Sequence, residues 1–300
     1  MQQNKTGFSQ KHPLLFGIML IIAAVALFAG ATAALRVSKG HDMPYFSSDK
    51  FGVINVSGFI GSSRKISDWA YQLRNDDSIK GVIVRVNSPG GGVAASQEIY
   101  SAVRRLAEVK PVVISMGTVA ASGGYYIAAA GHKIVANPAT ITGSIGVKME
   151  LPNFQGLMQK VGVSYLSLTS GKLKAAGSPF QKLTAEERAY FQAIITNMYD
   201  QFIDAIEKGR GMKREDIIKY ADGRAMTGQQ ALEAGLVDML GDRETAYNEL
   251  ARLCELDAPL ALEEGPKEEK SFLKELLTNM LDLSPVNTVR EQNTIQLLYN

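Results

Sequence analysis

The 300-residue sequence predicts an α/β fold, a parallel sheet covered by helices. Two observations carry it. Short segments rich in Val and Ile are apolar without a break, as strands buried on both faces must be. They alternate with segments of 3.6-residue periodicity, the pattern of right-handed strand–helix–strand crossovers. The composition is that of an ordinary globular protein, with 46% hydrophobic and 21% charged residues.

The elements follow in order. Phe51 to Ile60 alternates as a strand, with Gly58 and Gly61 at its end. Ser67 to Arg74 is a helix with Trp69, Ala70 and Leu73 on one side. Gly81 to Val86 is a β-branched strand. Ala94 to Glu108 is a helix, with Ala95, Ile99, Ala102, Val103 and Leu106 at helical spacing. Pro111 to Met116 is a strand, Tyr125 to Ala130 a buried helix of small residues, and Lys133 to Ala136 another strand. Thr184 and Glu187 form a capping box that opens a long helix to Glu207. Thr227 and Gln230 suggest a second cap, before a short helix that stops at Gly235. Residues 263–270 are charged and read as solvated, and Phe272 to Met280 as a short amphipathic helix that docks on its own domain or a neighbouring subunit.

The N-terminus is of another kind. The first 40 residues hold Lys5, Lys11, Arg36 and Lys39 and no acid, so the remainder of this +2 chain is slightly negative. Between the basic residues lies an uncharged run from Leu14 to Leu35. As a helix it spans about 33 Å, enough for a hydrocarbon core of about 30 Å. Signal-peptide apolar regions run about 7–15 residues, shorter than this one, so an uncleaved anchor is expected, although Ala31-Thr32-Ala33 resembles a cleavage site. Lys5 and Lys11 place the N-terminus in the cytoplasm and the bulk of the chain outside it. The expected organisation is a cytoplasmic terminus (1–13), a transmembrane anchor (14–35), a linker (36–50), a folded body (51–260) and a C-terminal extension (261–300).

Several chemistries are excluded early. One cysteine allows no intramolecular disulfide and no CxxC motif. His12, His41 and His132 have no zinc-ligand spacing, and the near-neutral charge gives no case for nucleic acid. Neither a metal nor a cofactor is expected. Gly90-x-Gly92-x-x-Ala95 formally matches a dinucleotide fingerprint, but the next strand ends without an acid. Its consecutive glycines instead suit an oxyanion hole, or simply a tight turn.

A nucleophile candidate follows. Ser122 sits where a strand region turns into a helix, among residues too small to block access. It is either an N-cap or a nucleophile, and Gly123 beside it offers an unpaired helix-start N–H. No histidine is well placed to be its base. The alternative is a lysine kept neutral. An ordinary lysine is neutral in only about 1 molecule in 2,500 at pH 7, and lowering its pKa by roughly three units costs about 4 kcal/mol. Lys174, in Leu173-Lys174-Ala175-Ala176-Gly177, has the required small apolar setting. Lys172 is two residues away, and the residues themselves do not choose between them. Thr142-Gly143-Ser144-Ile145-Gly146-Val147 reads as a tight turn whose Ser144 hydroxyl can accept a hydrogen bond from a lysine amine.

The motifs NSPGGG, MGTVAASGGYYIAAAGHKIVANP, TGSIGV, SGKLKAAGSP and DGRAMTGQQALEAGLVDMLG, in this order, resemble the signal peptide peptidase A family in its short, single-copy form. The resemblance covers about residues 51–245. It implies a Clp protease/crotonase-like fold of ββα units and a Ser-Lys dyad. On matching positions it implies Ser122 as nucleophile, Lys174 rather than Lys172 as base, Ser144 as the serine bonded to that lysine, and Gly91 and Gly123 as oxyanion donors. Leu173 and Ala175 depart from the polar neighbours, such as His and Asp, that relatives often carry. That leaves the dyad intact and bears on substrate preference.

The expected protein is therefore a membrane-anchored serine endopeptidase that degrades cleaved signal peptides and other unfolded apolar peptides. The family further implies a homo-oligomeric ring with subunit-shared active sites. The alternatives are a related Ser-Lys protease acting on membrane-organising proteins, an acyl-CoA enzyme of the crotonase type, and an inactive membrane-tethered scaffold.

Overall fold

A computed structural model describes Met19, residues 22–27 and residues 49–266. The contacts divide the chain into two units, 1–47 and 48–300. In the first, residues 22–27 are helical, with the apolar Ile22, Val25 and Leu27 exposed. The rest of the expected anchor and nearly all of the linker lie outside the described residues, as does the expected helix from Phe272 to Met280. No helix among the described residues is long and apolar enough to cross a membrane.

Among the described residues the second unit is built on an eight-stranded sheet. Its elements are β1 (Lys50–Ile60), α1 (Arg64–Asn75), β2 (Ile79–Gly91), α2 (Val93–Ala107), β3 (Val112–Ala121), α3 (Gly123–Ala128), β4 (Lys133–Ala136), β5 (Ile141–Gly143), α4 (Gln155–Lys160), α5 (Ala185–Arg210), α6 (Arg214–Ile218), β6 (Ala225–Thr227), α7 (Gly228–Glu233), β7 (Met239–Leu240), α8 (Arg243–Leu253) and β8 (Ala261–Gly265). The main path runs β6-β5-β3-β2-β1-β8, and β4 pairs with β3 and β7. Every pairing is parallel except β5 with β6.

The strands are apolar throughout because both faces of the sheet are covered. Ile54, Val84, Val86 and Ile114 join the core under α2, α3 and α5, whereas Phe51, Val53, Ile83 and Val113 join a smaller core that holds Ala246 and Leu250 of α8. Alternate residues of each strand thus enter opposite cores, as the pleat requires.

Both predicted capping boxes are formed. Thr184 accepts from the Glu187 N–H and opens α5, and Thr227 accepts from the Gln230 N–H and opens α7. The α5 helix ends at Gly211, whose φ of 63° suits a residue without Cβ.

Three differences from the sequence reading bear on the site. The strand predicted for 81–86 runs on to Gly91, because Ser88-Pro89-Gly90-Gly91 continues along β1, pairing Phe59 with Gly90 and Ile60 with Gly91. A Cβ on Gly91 would lie 2.3 Å from the Ile60 carbonyl oxygen, so only glycine permits this pairing. The strand predicted for 111–116 runs on to Ala121, where Val119, Ala120 and Ala121 pair with β5. The third difference is at the C-terminal boundary. Residues read there as solvated charge include β8, which pairs in parallel with β1 and places Glu263 2.8 Å from Lys50. Charged side chains on an edge strand keep it from recruiting another chain. The α8 helix, which also escaped prediction, is opened by a third capping box, Asp242 with Thr245.

Candidate active site

The strand β3 delivers Ser122 to the N-terminal end of α3 in an unusual conformation, φ 52° and ψ −119°. Its N–H donates to the Gly143 carbonyl at 2.9 Å, continuing the β3–β5 pairing by one residue. Its own carbonyl accepts from the Tyr126 N–H at 2.9 Å, so Ser122 is at once the last strand residue and the helix cap. Tyr125 anchors α3 in the core. It is fully buried, its hydroxyl donates to the Leu236 carbonyl at 2.8 Å, and burial pushes its phenol pKa well up.

The glycines around Ser122 answer to close approach. Gly90 has φ 105°, and a Cβ there would lie 2.8 Å from the Gly123 nitrogen and 2.9 Å from the Ser122 Cβ. A Cβ on Gly123 would meet the Ser96 Oγ at 2.3 Å. The end of β2 is held by Ser88, whose hydroxyl donates to the Gly58 carbonyl at 2.6 Å and accepts from the Gly90 N–H at 3.1 Å. Gly123 is the first residue of α3, so its N–H has no acceptor within that helix.

These pieces border a cleft of about 690 Å³. Ser122, Gly91 and Ser144 line it, beside the apolar Phe59, Val93 and Val147. A recess of about 20 Å³ adjoins it, where Gly123 meets Ser122, Met198 and Phe202. Four of the five residues singled out in the sequence therefore gather around the cleft and its adjoining recess. Ser144 also has positive φ, at 49°, and donates its N–H to the Arg224 carbonyl at 2.8 Å.

Lys174 lies elsewhere. It is exposed in the stretch that follows α4, its N–H donates to the Gly171 carbonyl at 3.1 Å, and it lines neither the cleft nor the recess. Lys172 is exposed in the same stretch and lines neither.

The titratable side chains that do line the cleft were not singled out from the sequence. They are Lys148, Tyr199 and Asp222. The Lys148 amine is 3.0 Å from the Glu150 carboxylate. Asp222 accepts from the side chain and the N–H of Arg224, which hold its carboxyl down to about 2. The Tyr199 hydroxyl donates to the Ala221 carbonyl at 2.9 Å, and desolvation raises its pKa. Of the three, only Asp222 had a sequence signal, since it opens the DGRAMTG motif.

His132, largely exposed, accepts the Val112 N–H at Nδ1, and desolvation lowers its pKa. It borders a different cavity with Lys110 and Leu253, so among the described residues no histidine lines the cleft. Among the described residues no group of three His, Cys, Asp or Glu side chains is placed to hold a metal ion.

Comparison with known proteins bears on this arrangement. The model of peptidase family S49 matches residues 104–257, and that of Clp protease matches residues 61–141. The chain is 40% identical over 273 residues to "Putative protease MJ0651" of Methanocaldococcus jannaschii, covering 85% of this chain and 88% of that one. It is 39% identical over 220 residues to "Putative signal peptide peptidase SppA" of Enterococcus faecium, covering 69% of this chain and 64% of that one. It is 36% identical over 219 residues to "Protease 4" of Haemophilus influenzae, covering 70% of this chain and 35% of that one.

Proposed function

The chain belongs to peptidase family S49 and is a serine peptidase, and from that premise we propose a membrane-anchored endopeptidase that degrades cleaved signal peptides with a Ser122–Lys174 dyad. The observation that carries the proposal is the placement of Ser122 at positive φ in a cleft that also holds Gly91 and Ser144. The sheet is read as the Clp/crotonase-like superhelix of ββα units, with one transmembrane helix before it.

In this mechanism neutral Lys174 takes the proton from the Ser122 hydroxyl. The oxygen attacks the scissile carbonyl, and the N–H groups of Gly91 and Gly123 hold the tetrahedral oxyanion. The Lys174 ammonium then protonates the leaving amine. Water, losing a proton to the amine, hydrolyses the acyl-enzyme. The Ser144 hydroxyl accepts a hydrogen bond from the amine and orients it.

Because Lys174 lines no part of its own chain's cleft, the proposed enzyme is a homo-oligomeric ring in which one copy's lysine serves its neighbour's Ser122. The exposed apolar surface of residues 148–183 supports such contacts. The apolar side chains in the cleft suit signal peptides, which an enzyme anchored with its N-terminus in the cytoplasm and its body outside would meet at the bilayer.

A second reading makes Lys148 the base, on the observation that it does line the cleft. Digestion of defined signal peptides by the full chain in detergent, read by mass spectrometry, tests the activity. Parallel labelling with a serine-reactive fluorophosphonate tests the nucleophile. Cleavage together with labelling that Ser122→Ala abolishes is expected. An intact oligomer with neither activity would be a scaffold.

A further inference from the structure

Three non-glycine residues among those described have positive φ, and two of them, Ser122 and Ser144, line the same cleft. Both conformations must be held by their surroundings. One peptide group connects them. The carbonyl of Gly143 accepts the Ser122 N–H at 2.9 Å, and the N–H of the same peptide unit, that of Ser144, donates to the Arg224 carbonyl at 2.8 Å. A trans peptide is planar, with these two groups pointing in opposite directions. The Ser122 backbone is thus linked to Arg224 through a single rigid unit.

The far end of this link is itself fixed. The Asp222 Oδ1 accepts from the Arg224 N–H at 3.1 Å and from Nε at 2.8 Å, and Oδ2 accepts from the second guanidinium nitrogen at 2.6 Å. Gly223, at φ 90°, donates its N–H to the Ile145 carbonyl at 3.0 Å, so the turn grips the chain on both sides of Ser144. Nothing occupies the space a Cβ on Gly223 would take, and alanine there adds backbone strain without a clash.

We propose that the Asp222-Gly223-Arg224 turn is a positioning element for the nucleophile: Asp222 clips the turn, and the turn sets the Ser122 backbone through the 143–144 peptide. The proposal rests on Ser122 being the nucleophile. Asp222 and Gly223 act here through other residues, not on the reacting atoms. The hydrogen bonds that hold Asp222 well below the ordinary carboxyl range keep it an acceptor at working pH. Misplacing a reacting group by about 1 Å can cost about a hundredfold in rate.

The test is the rate at which a small fluorophosphonate labels Ser122 in the full chain in detergent, with Ser122→Ala as the blank. So small a probe makes none of the contacts a peptide would make with Asp222. Asp222→Ala and Gly223→Ala are expected to label at least tenfold more slowly. Asp222→Asn, which keeps the Oδ1 acceptor and loses the charge, is expected to label within threefold of the parent. On a signal peptide, kcat should fall in parallel while KM stays within threefold. A merely structural role would lower the melting temperature and leave the labelling of folded protein unchanged. Labelling of both Asp222→Ala and Gly223→Ala within twofold of the parent would overturn the proposal. Where Asp222→Ala fails to fold, Gly223→Ala decides. Absence of labelling at Ser122 in the parent would instead sink the nucleophile assignment, and the role of the turn with it.

Discussion

The surroundings of Ser122 and those of Lys174 differ in almost every physical respect. Ser122 stands between Ala121 and Gly123, both buried, and its backbone is bonded to Gly143 and Tyr126. The stretch from Lys148 to Glu186, which carries Lys174, contains no buried residue. Its large apolar side chains face outward, with Leu166 and Leu168 more than four-fifths exposed. The first region is determined by its own chain. The second, left alone, exposes far more apolar side chain than a surface of scattered hydrophobic residues would. The difference teaches that the proposed nucleophile and oxyanion glycines are built within one chain, while the proposed base sits on an exposed apolar surface suited to the partner copy proposed above.

The largest expected effect decides which lysine belongs to the dyad. Lys174→Ala should lower kcat on a signal peptide by at least about 10⁴-fold, as removal of one member of a catalytic constellation does. Lys148→Ala should leave kcat within threefold. The reverse result would place the base inside the cleft and erase the contrast between the two regions.

Gly90→Ala probes the self-contained region. The new methyl would press on the Gly123 nitrogen and the Ser122 Cβ at an already unfavourable φ. Loss of about 10²–10³ in kcat is expected, the scale of losing an oxyanion donor. Thermal melting should show destabilisation of about 1–3 kcal/mol. Parent-like kinetics would mean that the end of β2 is free to move away from Ser122.

Leu166→Glu with Leu168→Glu probes the other region. Stability should change by no more than about 0.5 kcal/mol, because both side chains are more than four-fifths exposed. Light scattering should show the proposed assembly dissociating. An unchanged mass would assign this apolar surface to something other than a second copy.

The smallest effect concerns acid. The Asp222 carboxyl, held down to about 2 chiefly by its hydrogen bonds with Arg224, contributes stability that is present above its unfolded value of about 3.9. This contribution is lost as pH falls through about 2. Asp222→Asn should therefore make the melting temperature decline less steeply between about pH 4 and 2. Parallel curves for parent and variant would show the Asp222–Arg224 contact to be without consequence in solution.

Local signals succeed at several places where a side chain satisfies its own neighbourhood, although the Asp242–Thr245 cap that opens α8 is such a signal and is not among the predicted caps. The cap Thr184 with Glu187 opens α5, and β4 occupies the predicted Lys133 to Ala136. Signals failed where pairing has no side-chain pattern. Ser88 to Gly91 extends β2 through backbone contacts that glycine permits, and no hydrophobic alternation marks it. Glu263 and Glu264 read as solvated charge, yet β8 lies beside β1 with both carboxylates paired to basic residues. Lys148 and Asp222, 74 positions apart, border one cleft because the β5–β6 pairing brings Gly143 beside Ala225.

The sequence by itself determined the α/β class, the capped helices, the serine at a strand–helix junction and the glycines that let backbone approach it. These follow from periodicity, from caps closed within four residues and from the absence of Cβ atoms, all local properties. Only the tertiary structure decided that Ser122 and Ser144 share strained conformations across one peptide group, and that Lys174 lies away from the cleft of its own chain. The first depends on hydrogen bonds between residues up to about 80 positions apart, such as Ser144 with Arg224, and a linear pattern carries no record of which distant carbonyl meets which N–H.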